Sequence, residues 1–564
     1  MVLATDARVY PNTTHEVTNQ SGAFVGVNVF EADVVLRSAV EREGAGWIGP
    51  RAMRLGAAAG DPTVQEHAHL ANKHAPTLRT HDRFGHRVDA VDFHPSYHAL
   101  MELAFGSGVH SLAWTANRPG AHTARATLSY LWNQIENGVG CPTGMTYSAV
   151  PSLRLVPAIR AAWEDKVLAE AYDPRAMPVP EKRAATIGMA LTEKQGGSDL
   201  RANTTLAIPA NGGGIGGEYR LKGHKWFCSA PMSDAFLTLA QTSRGPSCFF
   251  VPRSLPDGRR NRFFIQRLKD KCGNRSNASS EIEYDDTYAI LLGEEGRGIR
   301  AAIEMAHLTR LDFAIGSAGL MRWALNLTLH HTHGRRTFQR VLAEQPLMRN
   351  VLADLCLESE AATVIAFRLA RAIDEAAAGS EQARLLERIL TPVAKFWNCK
   401  RVPGFVAECV ECHGGNGFIE EQPMARLYRE APLNGIWEGT GNVICLDVLR
   451  ALQREPDSVA ALLDELSLAR GADHRLDTAI DALEVELSDV DAQEHRARHI
   501  TAMIATVVEG ALLVRHSTPA VADAFVASRL DGLPNRAFGS LPRGVDATAI
   551  IARSRLQSCG RDRR

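Results

Sequence analysis

Residues 191–199 read LTEKQGGSD, a run of hydroxyl, amide and charged side chains beside two adjacent glycines. Glycine lets a backbone approach a flat or anionic ligand closely, and the neighbouring polar groups can donate hydrogen bonds to that ligand. The same composition also suits a tight turn that holds no ligand. The segment therefore predicts either a binding loop or a turn, and the rest of the chain must decide between them.

Two further segments carry complementary chemistry. Residues 223–229 read GHKWFCS, where an aromatic pair and a hydroxyl end a strand-like run and could flank a planar ring. Residues 436–442 read IWEGTGN, which places the carboxylate of Glu438 between a large aromatic residue and a Gly-Thr-Gly turn. Taken singly, such aromatics more often belong to a core, and Glu438 could equally be a helix cap or part of an ion pair.

The pattern of apolar and polar residues changes three times along the sequence and divides the chain into four parts. Residues 1–183 have helical apolar spacing, and residues 184–292 have short alternating runs separated by turn clusters. Residues 293–450 have the long apolar periodicity of a helical bundle, and residues 451–564 add a further helical region with a looser, basic tail. The predicted fold is multidomain α+β, with an N-terminal helical domain, a central β domain, a C-terminal four-helix bundle and an extra helical region.

The amino-acid composition of the chain excludes only a few classes of function. The 564 residues are 45% hydrophobic and 23% charged, and the formal net charge is −1, which gives no whole-chain attraction to nucleic acid or to an anionic membrane. The N-terminus lacks the pattern of a secretion signal, and no stretch approaches the roughly 20 uninterrupted apolar residues of a membrane span. The ten cysteines are scattered and suit free thiols in a reducing compartment. We expect a cytoplasmic protein with no membrane partner.

Three motifs suggest other chemistry but have simpler explanations. The glycines of residues 212–217 match a dinucleotide-binding pattern, yet they lie between two strand-like runs with no helix after them, which predicts a hairpin turn. Residues 409–413 match a haem-attachment spacing, which we interpret as coincidence. His330, His331 and His333 lack matching ligands at helical spacing, so we expect a solvated helix end and no metal site.

Taken together, the three polar segments resemble the acyl-CoA dehydrogenase family. Its flavin loop reads roughly (M/L)TExxxGSD, its second flavin strand ends in WIT or a close variant, and its catalytic loop reads YEGT. The segments occur here in the family's order and separation, beside a GGNGF element at residues 414–418, and the likeness covers about residues 30–450. The branch that the chain most resembles is that of the adaptive alkylation-response proteins (AidB), through MALTEKQGGSDLRANTT, LKDKCGNRSNASSEIEY and the extra C-terminal region.

The resemblance implies FAD as the cofactor and an acyl-CoA as the substrate, with Glu438 as the catalytic base that removes the α-proton. It places Arg335 on the flavin pyrophosphate, which a guanidinium can bind through two charge-assisted hydrogen bonds. The other residues that it assigns to the cofactor are Leu191, Thr192, Gly197, Ser198, Phe227, Cys228, Ser229, Thr440 and Asn442.

Some positions depart from the family pattern. Gln339 replaces the glycine that usually follows the RRTF element, and Glu411 replaces the glutamine usual before GGNGF, which bears on cofactor contacts from a neighbouring subunit. Some family members carry the base on a bundle helix, where this sequence has Thr309. Because threonine cannot act as the base, Glu438 is the candidate consistent with the family.

The resemblance implies two functions and a homotetramer. One function is acyl-CoA dehydrogenation, in which the carboxylate takes the α-proton and the β-hydride passes to flavin N5. The alternative is a flavoprotein that binds duplex DNA through its C-terminal region and protects it against alkylation, with weak or vestigial dehydrogenase activity. Residues 451–514 carry five Arg and thirteen Asp or Glu, whereas residues 515–564 carry nine Arg and four Asp, so the tail is the expected phosphate contact.

Overall fold

The computed structural model describes residues 14–255, 257–532 and 537–556 of the chain. The N-terminal helices begin where the sequence supplies caps: Asp33 accepts a hydrogen bond from the backbone of Leu36, and Asp61 caps the helix that starts at Pro62. The helices of this domain are α1 (Val34–Arg42), α2 (Gly49–Ala59), α3 (Pro62–Lys73), α4 (Pro95–Gly106), α5 (Leu112–Thr115), α6 (Ala121–Trp132), α7 (Gly140–Leu153) and α8 (Pro157–Val167).

The N-terminal domain also contains an antiparallel hairpin, β1 (Thr77–His81) and β2 (Arg87–Asp92), which the helical prediction missed. The hairpin packs against the β domain: Val91 is buried among β-domain side chains. Asp89 forms ion pairs with Arg87 and with Arg260 of the β domain. Because the contacts with the β domain join residues far apart in sequence, an assignment based on the surrounding helical periodicity could not detect them.

The central domain is a seven-stranded sheet that closes on itself. The strand order is β3-β6-β4-β5-β9-β7, β8 pairs with β9, and β7 also pairs with β6, so the closed part has no free edge. The glycines of residues 212–217 form the turn between antiparallel β4 and β5, as predicted. The strands are β3 (Ile187–Ala190), β4 (Leu206–Pro209), β5 (Glu218–Ser229), β6 (Ala235–Thr242), β7 (Gly245–Pro252), β8 (Phe263–Leu268) and β9 (Ser279–Leu292).

Long helices follow the sheet and form the bundle. Their apolar faces share one continuous core with the N-terminal helices, because α6 packs against both α9 and α10. A short hairpin, β10 (Arg336–Thr337) and β11 (Arg340–Val341), lies between α9 and α10. The bundle helices are α9 (Gly298–Gly334), α10 (Pro346–Ala377), α11 (Glu381–His413), α12 (Pro423–Glu430) and α13 (Gly441–Arg454). These observations confirm the predicted fold class.

The additional C-terminal region docks on the bundle. Helix α16 is long and apolar enough to cross a membrane by composition, but 67% of its most apolar window is buried inside the protein, against α10, α11 and α13. Such burial is typical of a core helix. The helices of this region are α14 (Asp457–Ser467), α15 (His474–Ser488), α16 (Gln493–His516), α17 (Pro519–Arg529) and α18 (Ala547–Ser554).

The tail after α17 is more ordered than the sequence indicated. Helix α18 packs on α10, and the backbone of its last residue, Ser554, accepts a hydrogen bond from Arg322 of α9 at 2.7 Å. Residues 533–536 and 557–564, on which part of the tail prediction falls, lie outside the described residues. Three of the nine arginines counted in residues 515–564 form ion pairs with carboxylates of the fold: Arg515 with Glu465, Arg529 with Asp354 and Glu358, and Arg553 with Glu360.

One buried ion pair joins two of the polar segments. Lys225 of β5 donates to the Glu193 carboxylate at 2.8 Å, and neither side chain is exposed. The Lys225 ammonium also donates to the carbonyl of Leu239 on β6, and the carboxylate accepts from the backbone N–H groups of Thr204 and Thr205. Burial opposes ionisation of Glu193, but the ammonium and these donors outweigh it and hold the pKa of the carboxyl well below its ordinary value.

We expect Lys225→Met to lower the free energy of unfolding by about 3–5 kcal/mol, because the substitution leaves the Glu193 carboxylate buried without its cation. Urea unfolding of the purified variant measures the change. The control is Lys194→Met, which removes an exposed ammonium from the same loop and should cost less than about 1 kcal/mol. Equal stability of the two variants would contradict the role assigned to the pair.

Candidate active site

The backbone of the first polar segment is fixed directly to the second. The amide of Trp226 donates to the carbonyl of Thr192 at 2.8 Å, and the side-chain amide of Asn203 donates to the carbonyl of Leu191 at 2.9 Å. With the ion pair beneath them, these bonds hold the 191–199 loop alongside the end of β5. The structure thus places the two segments side by side.

Side chains of this loop leave hydroxyl groups available at the surface. A Cβ atom on Gly197 would lie 2.4 Å from the Thr192 hydroxyl oxygen, so glycine is needed for the loop to fold this closely. Ser198 is exposed and Thr192 is half-buried. Among the described residues, neither hydroxyl has a hydrogen-bond partner, so both can donate to a ligand.

Strand alternation separates the three residues that end β5. Phe227 is 49% exposed and Ser229 is half-buried on the same face of the strand, whereas Cys228 is fully buried in the core of the β domain. Burial raises the pKa of the Cys228 thiol. The prediction that Cys228 contacts a flavin is therefore corrected for its side chain, which points into the core. Phe227 and Ser229 remain on the open face.

Glu438 lies in a strained loop between α12 and α13. Its backbone is left-handed, with φ of 50°, a conformation that costs free energy in a residue with a Cβ and that recurs at functional sites. Two bundle helices hold the loop: Arg310 of α9 donates to the carbonyl of Glu438 at 3.2 Å, and Lys395 of α11 donates to the carbonyl of Gly439 at 2.5 Å. Both cations bind the backbone, so the carboxylate itself stays available.

The surroundings of the Glu438 carboxylate suit a proton acceptor. It accepts no hydrogen bond from any residue that the structure describes. Burial raises the pKa of Glu438 above its ordinary value, against the opposing effect of Arg310 and Lys395. The hydroxyl of Thr309, at the alternative position, is buried and donates to the carbonyl of Ala306 at 3.2 Å. Thr309 is thus occupied within its own helix.

Cys141 lies between Glu438 and the end of β5, and no motif around it indicates such a position. Its half-buried thiol lies beside Ser229 and Asn277, within electrostatic range of Glu438 and Lys271, and burial raises its pKa to about 11. Lys271 donates to the carbonyl of Asn277 at 2.6 Å, and burial lowers its pKa to about 8. The Glu438 loop, β5 and the N-terminus of α7 therefore lie close together.

A second missed residue comes from the additional C-terminal region. Thr440 and Asn442, which the resemblance assigns to the cofactor, are exposed at the start of α13. Arg498 of α16 donates to the side-chain oxygen of Asn442 at 2.8 Å, and its guanidinium approaches Gly441 beside Lys400. The start of α13 thus combines two cations with the partial positive charge of a helix N-terminus, which suits an anionic group.

Arg335 does not lie with the other predicted residues. It follows the last residue of α9 and donates to the carbonyl of Asn19 at 2.5 Å. Arg310, which contacts the Glu438 loop, is 25 residues earlier on the same helix, so the two are separated by roughly 37 Å at 1.5 Å per residue. Within one chain, Arg335 cannot reach a ligand held beside Glu438 unless that ligand is very long.

The far end of the bundle exposes two aromatic side chains. Phe338 in the β10–β11 hairpin is 92% exposed, and Phe418 in the GGNGF turn is 75% exposed. His331 and His413 stack at this end with ring centroids 4.5 Å apart, and His331 is buried. The expectation of a solvated histidine cluster is therefore wrong for His331, because its ring packs between two long helices.

A small pocket, with a cavity volume of about 40 Å³, lies next to the Glu438 loop. Helices α6, α7 and α9 form part of the wall, and the 433–437 segment that leads to Glu438 forms another part. The rings of Phe313 and Trp437, 5.6 Å apart, lie at its side. The pocket therefore reaches Trp437, the residue that precedes Glu438 in the loop.

Comparison with known proteins agrees with this arrangement. Three family descriptions match in order: the N-terminal domain of the adaptive response protein AidB over residues 19–174, the acyl-CoA dehydrogenase middle domain over residues 188–287, and the acyl-CoA dehydrogenase C-terminal domain over residues 296–453. The boundaries fall close to those of the helical domain, the sheet and the bundle.

Individual relatives cover most of the chain. It is 44% identical to AidB of Escherichia coli (strain K12) over 92% of this chain and 95% of the relative. The structure of Caenorhabditis elegans ACDH-11 in complex with C11-CoA has a TM-score of 0.81 and 26% identity, covering 99% of this chain and 95% of the other. A Bacillus anthracis acyl-CoA dehydrogenase complexed with FAD has a TM-score of 0.61 and 18% identity, covering 92% and 86%, which shows the shared fold.

These matches confirm the resemblance that the three polar segments indicated. The chain belongs to the acyl-CoA dehydrogenase family, in the branch that carries an AidB-type N-terminal domain.

Proposed function

We propose that this protein is an FAD-dependent dehydrogenase of acyl-CoA thioesters, with Glu438 as its base. The main support for the proposal is the backbone conformation of Glu438 together with its carboxylate, unpaired among the described residues. Its backbone is held in a left-handed conformation by two cations, while its carboxylate has no hydrogen-bond partner among the described residues and lies near the place where β5 and α7 meet. Strain of this kind persists where a function requires the side chain to be presented.

The residues near Glu438 fit a flavin. Phe227 offers an exposed aromatic surface, and the hydroxyls of Thr192, Ser198 and Ser229 supply donors on the same side of the β domain. Leu191 and Gly197 shape the loop that carries two of these donors. Arg498, Lys400 and the start of α13 supply positive charge for an anionic part of the cofactor. A relative of the same fold, from Bacillus anthracis, is complexed with FAD.

The proposed reaction removes two hydrogens from adjacent carbons of the acyl chain. Glu438 takes the α-proton of the thioester, whose carbonyl makes that proton acidic. When bound, FAD accepts the hydride from the β-carbon. The electron pair of the α C–H bond forms the new double bond, so the product is a trans-2-enoyl thioester and the base is left protonated. The Caenorhabditis elegans relative was solved with C11-CoA, which supports a CoA thioester as the ligand.

Arg310 and Lys395 act as positioning residues in this proposal. Arg310 is nearly buried and is itself fixed by Asp447 at 2.6 Å, which in turn pairs with Arg388 at 3.1 Å. The network fixes the guanidinium and hence the carbonyl of Glu438. A base held in this way needs little reorganisation before it accepts a proton.

A second subunit is also part of the proposal. Arg335 lies too far from Glu438 to share a flavin within one chain, and Phe338 and Phe418 are exposed beside it. Exposed aromatic side chains of this size are typical of a protein contact surface. The homotetramer implied by the sequence would bring the Arg335 end of one chain to the flavin of another, despite the changes at Gln339 and Glu411.

Binding of duplex DNA through the C-terminal region is a second candidate function. Arg543 favours it, because this residue is exposed and forms no ion pair with the described residues. Arg515, Arg529 and Arg553 count against a large basic surface, since each is paired with a carboxylate of the fold. Any contact with phosphate would therefore rest on fewer charges than the nine counted in the sequence.

Glu438→Gln should retain FAD but reduce the rate of flavin reduction by an acyl-CoA at least about 100-fold, because the amide keeps the shape and cannot accept the proton. Anaerobic stopped-flow absorbance measures this rate. Glu304→Gln, which changes an exposed glutamate of α9 that pairs with Arg300, serves as the control and should reduce its flavin normally. If the two variants behave alike, the base lies elsewhere.

The acidic limb of the pH dependence of activity should reflect the ionisation of the Glu438 carboxyl group. Because its pKa is raised in the folded protein, the carboxyl is protonated and inactive at low pH, and activity should appear as pH rises through a value above the ordinary carboxyl range of about 4.3. The measurement is kcat/KM for flavin reduction across pH at constant ionic strength. An acidic limb at or below that ordinary value would contradict the assignment.

For the second candidate, Arg543→Glu should weaken duplex binding equally for all sequences and should reduce the slope of log affinity against log salt by about 1. Fluorescence anisotropy at several salt concentrations provides the affinities. Arg470→Glu is the matched control, because Arg470 pairs with Asp481 and Glu484 on an acidic surface. Unchanged binding by the Arg543 variant would remove this part of the tail from the contact.

A further inference from the structure

The wall of the pocket beside Glu438 combines apolar and polar side chains. The apolar part comes from Trp132, Phe313, Leu320, Leu433 and Trp437, and the polar part comprises four amide side chains and two carboxyl groups. They are contributed by Asn133, Asn137, Asn274, Asn434, Asp312 and Glu430. A polar wall disfavours an alkyl chain, because each polar atom that loses water without gaining a partner costs about 1–3 kcal/mol.

Part of this polarity is satisfied within the protein. Asn137 donates to the side-chain oxygen of Asn133 at 2.9 Å, Asn133 donates to the carbonyl of Ser129 at 2.9 Å, and Asn434 donates to the hydroxyl of Ser317 at 3.2 Å. These bonds fix the directions of the amides. Such a fixed wall is suited to recognise one geometry of hydrogen-bonding partner.

Three side chains of the wall retain polar atoms without a partner. The side-chain oxygens of Asn137 and Asn274 and the indole N–H of Trp132 are buried and make no hydrogen bond to the described residues. Asn274 is only 1% exposed and Trp132 is fully buried. The unsatisfied set therefore contains two acceptors and one donor, all belonging to residues that line one pocket.

The two carboxyl groups of the pocket wall do not indicate a cationic ligand. Asp312 is bound by the guanidinium of Arg125, which makes two hydrogen bonds to its carboxylate. Glu430 accepts the backbone N–H of Asn274 at 2.5 Å, and burial together with the nearby Glu136 raises its pKa to about 7. Since Asp312 is paired and Glu430 is readily protonated, the wall favours an uncharged polar group over an ammonium.

From this geometry we propose that the acyl group of the substrate carries an uncharged substituent that both donates and accepts hydrogen bonds, such as a hydroxyl or an amide. The substituent donates to Asn137 or Asn274 and accepts from a donor such as Trp132. The inference rests on the proposed acyl-CoA dehydrogenase function and names its substrate class. It assigns Asn137 and Asn274 to specificity, a role distinct from the chemistry at Glu438.

The test compares CoA thioesters that differ in one group. The FAD-loaded wild-type protein is titrated by calorimetry with 4-hydroxybutanoyl-CoA against pentanoyl-CoA, and with 6-hydroxyhexanoyl-CoA against heptanoyl-CoA. Each pair has the same number of heavy atoms in the acyl chain. We expect at least one hydroxylated member to bind about 10-fold more tightly than its alkyl counterpart, the gain available from satisfying a buried hydrogen-bonding group.

Asn137→Leu should reverse this preference, because it removes an unpaired acceptor and adds apolar surface of similar size. Asn211→Leu, in the exposed turn between β4 and β5, is the matched control and should keep the wild-type preference. Flavin content and thermal unfolding of each variant show whether it is folded. The wild-type comparison decides the matter even if the Asn137 variant is not.

The outcomes separate the two proposals. Tighter binding of the alkyl member in both pairs, accompanied by flavin reduction, would overturn the polar-substrate inference and leave the dehydrogenase function standing. Failure of every thioester to bind or to reduce the flavin would overturn the proposed function, and with it this inference. A hydroxyl preference that Asn137→Leu removes, with reduction retained, would support both.

Discussion

The ammonium of Lys225 and the carboxylate of Glu193 meet at 2.8 Å with neither side chain exposed to solvent. Taking two charges out of water is costly, and the cost is offset here because each ion has further partners: a β6 carbonyl for Lys225 and backbone donors of residues 204 and 205 for Glu193. The pair fixes the 191–199 loop against β5 and β6. Once it is formed, strand alternation determines that Phe227 and Ser229 face outward and that Cys228 faces the core.

A second constraint comes from the bundle. Arg310 and Lys395, on two different long helices, hold the backbone on either side of the Glu438–Gly439 peptide. The extra C-terminal region contributes to the same arrangement through Arg498, which binds Asn442, while Trp397 of α11 donates to the buried Glu509 of α16 at 3.0 Å. The additional helices therefore support the site structurally, whatever else their surface contacts.

Sequence reasoning succeeded where a function depends on short contiguous segments. The 191–199 loop, the end of β5 and the Glu438 loop were identified together, through their combined resemblance to one family, because each segment alone had a simpler explanation. It failed where a role depends on contacts between distant residues. No local motif marks Cys141 or Arg498, and the β1–β2 hairpin lies between helical segments. Arg335 follows the end of the 37-residue helix α9, which places it far from Arg310 on the same helix. The polar groups of the pocket beside Glu438 likewise come together only when α6, α9 and the 272–277 loop meet.

The central claim is that Glu438 removes an α-proton from an acyl thioester in a chain loaded with FAD. Its most direct test is anaerobic mixing of the wild-type protein with an acyl-CoA that carries deuterium at the α-carbon, and separately with the unlabelled compound. If Glu438 removes the α-proton, both compounds reduce the flavin. The deuterated compound does so more slowly, because the bond between the α-carbon and the transferred proton breaks in the measured step. A flavin that stays oxidised with either compound, over a panel of alkyl and hydroxylated acyl groups, would contradict it.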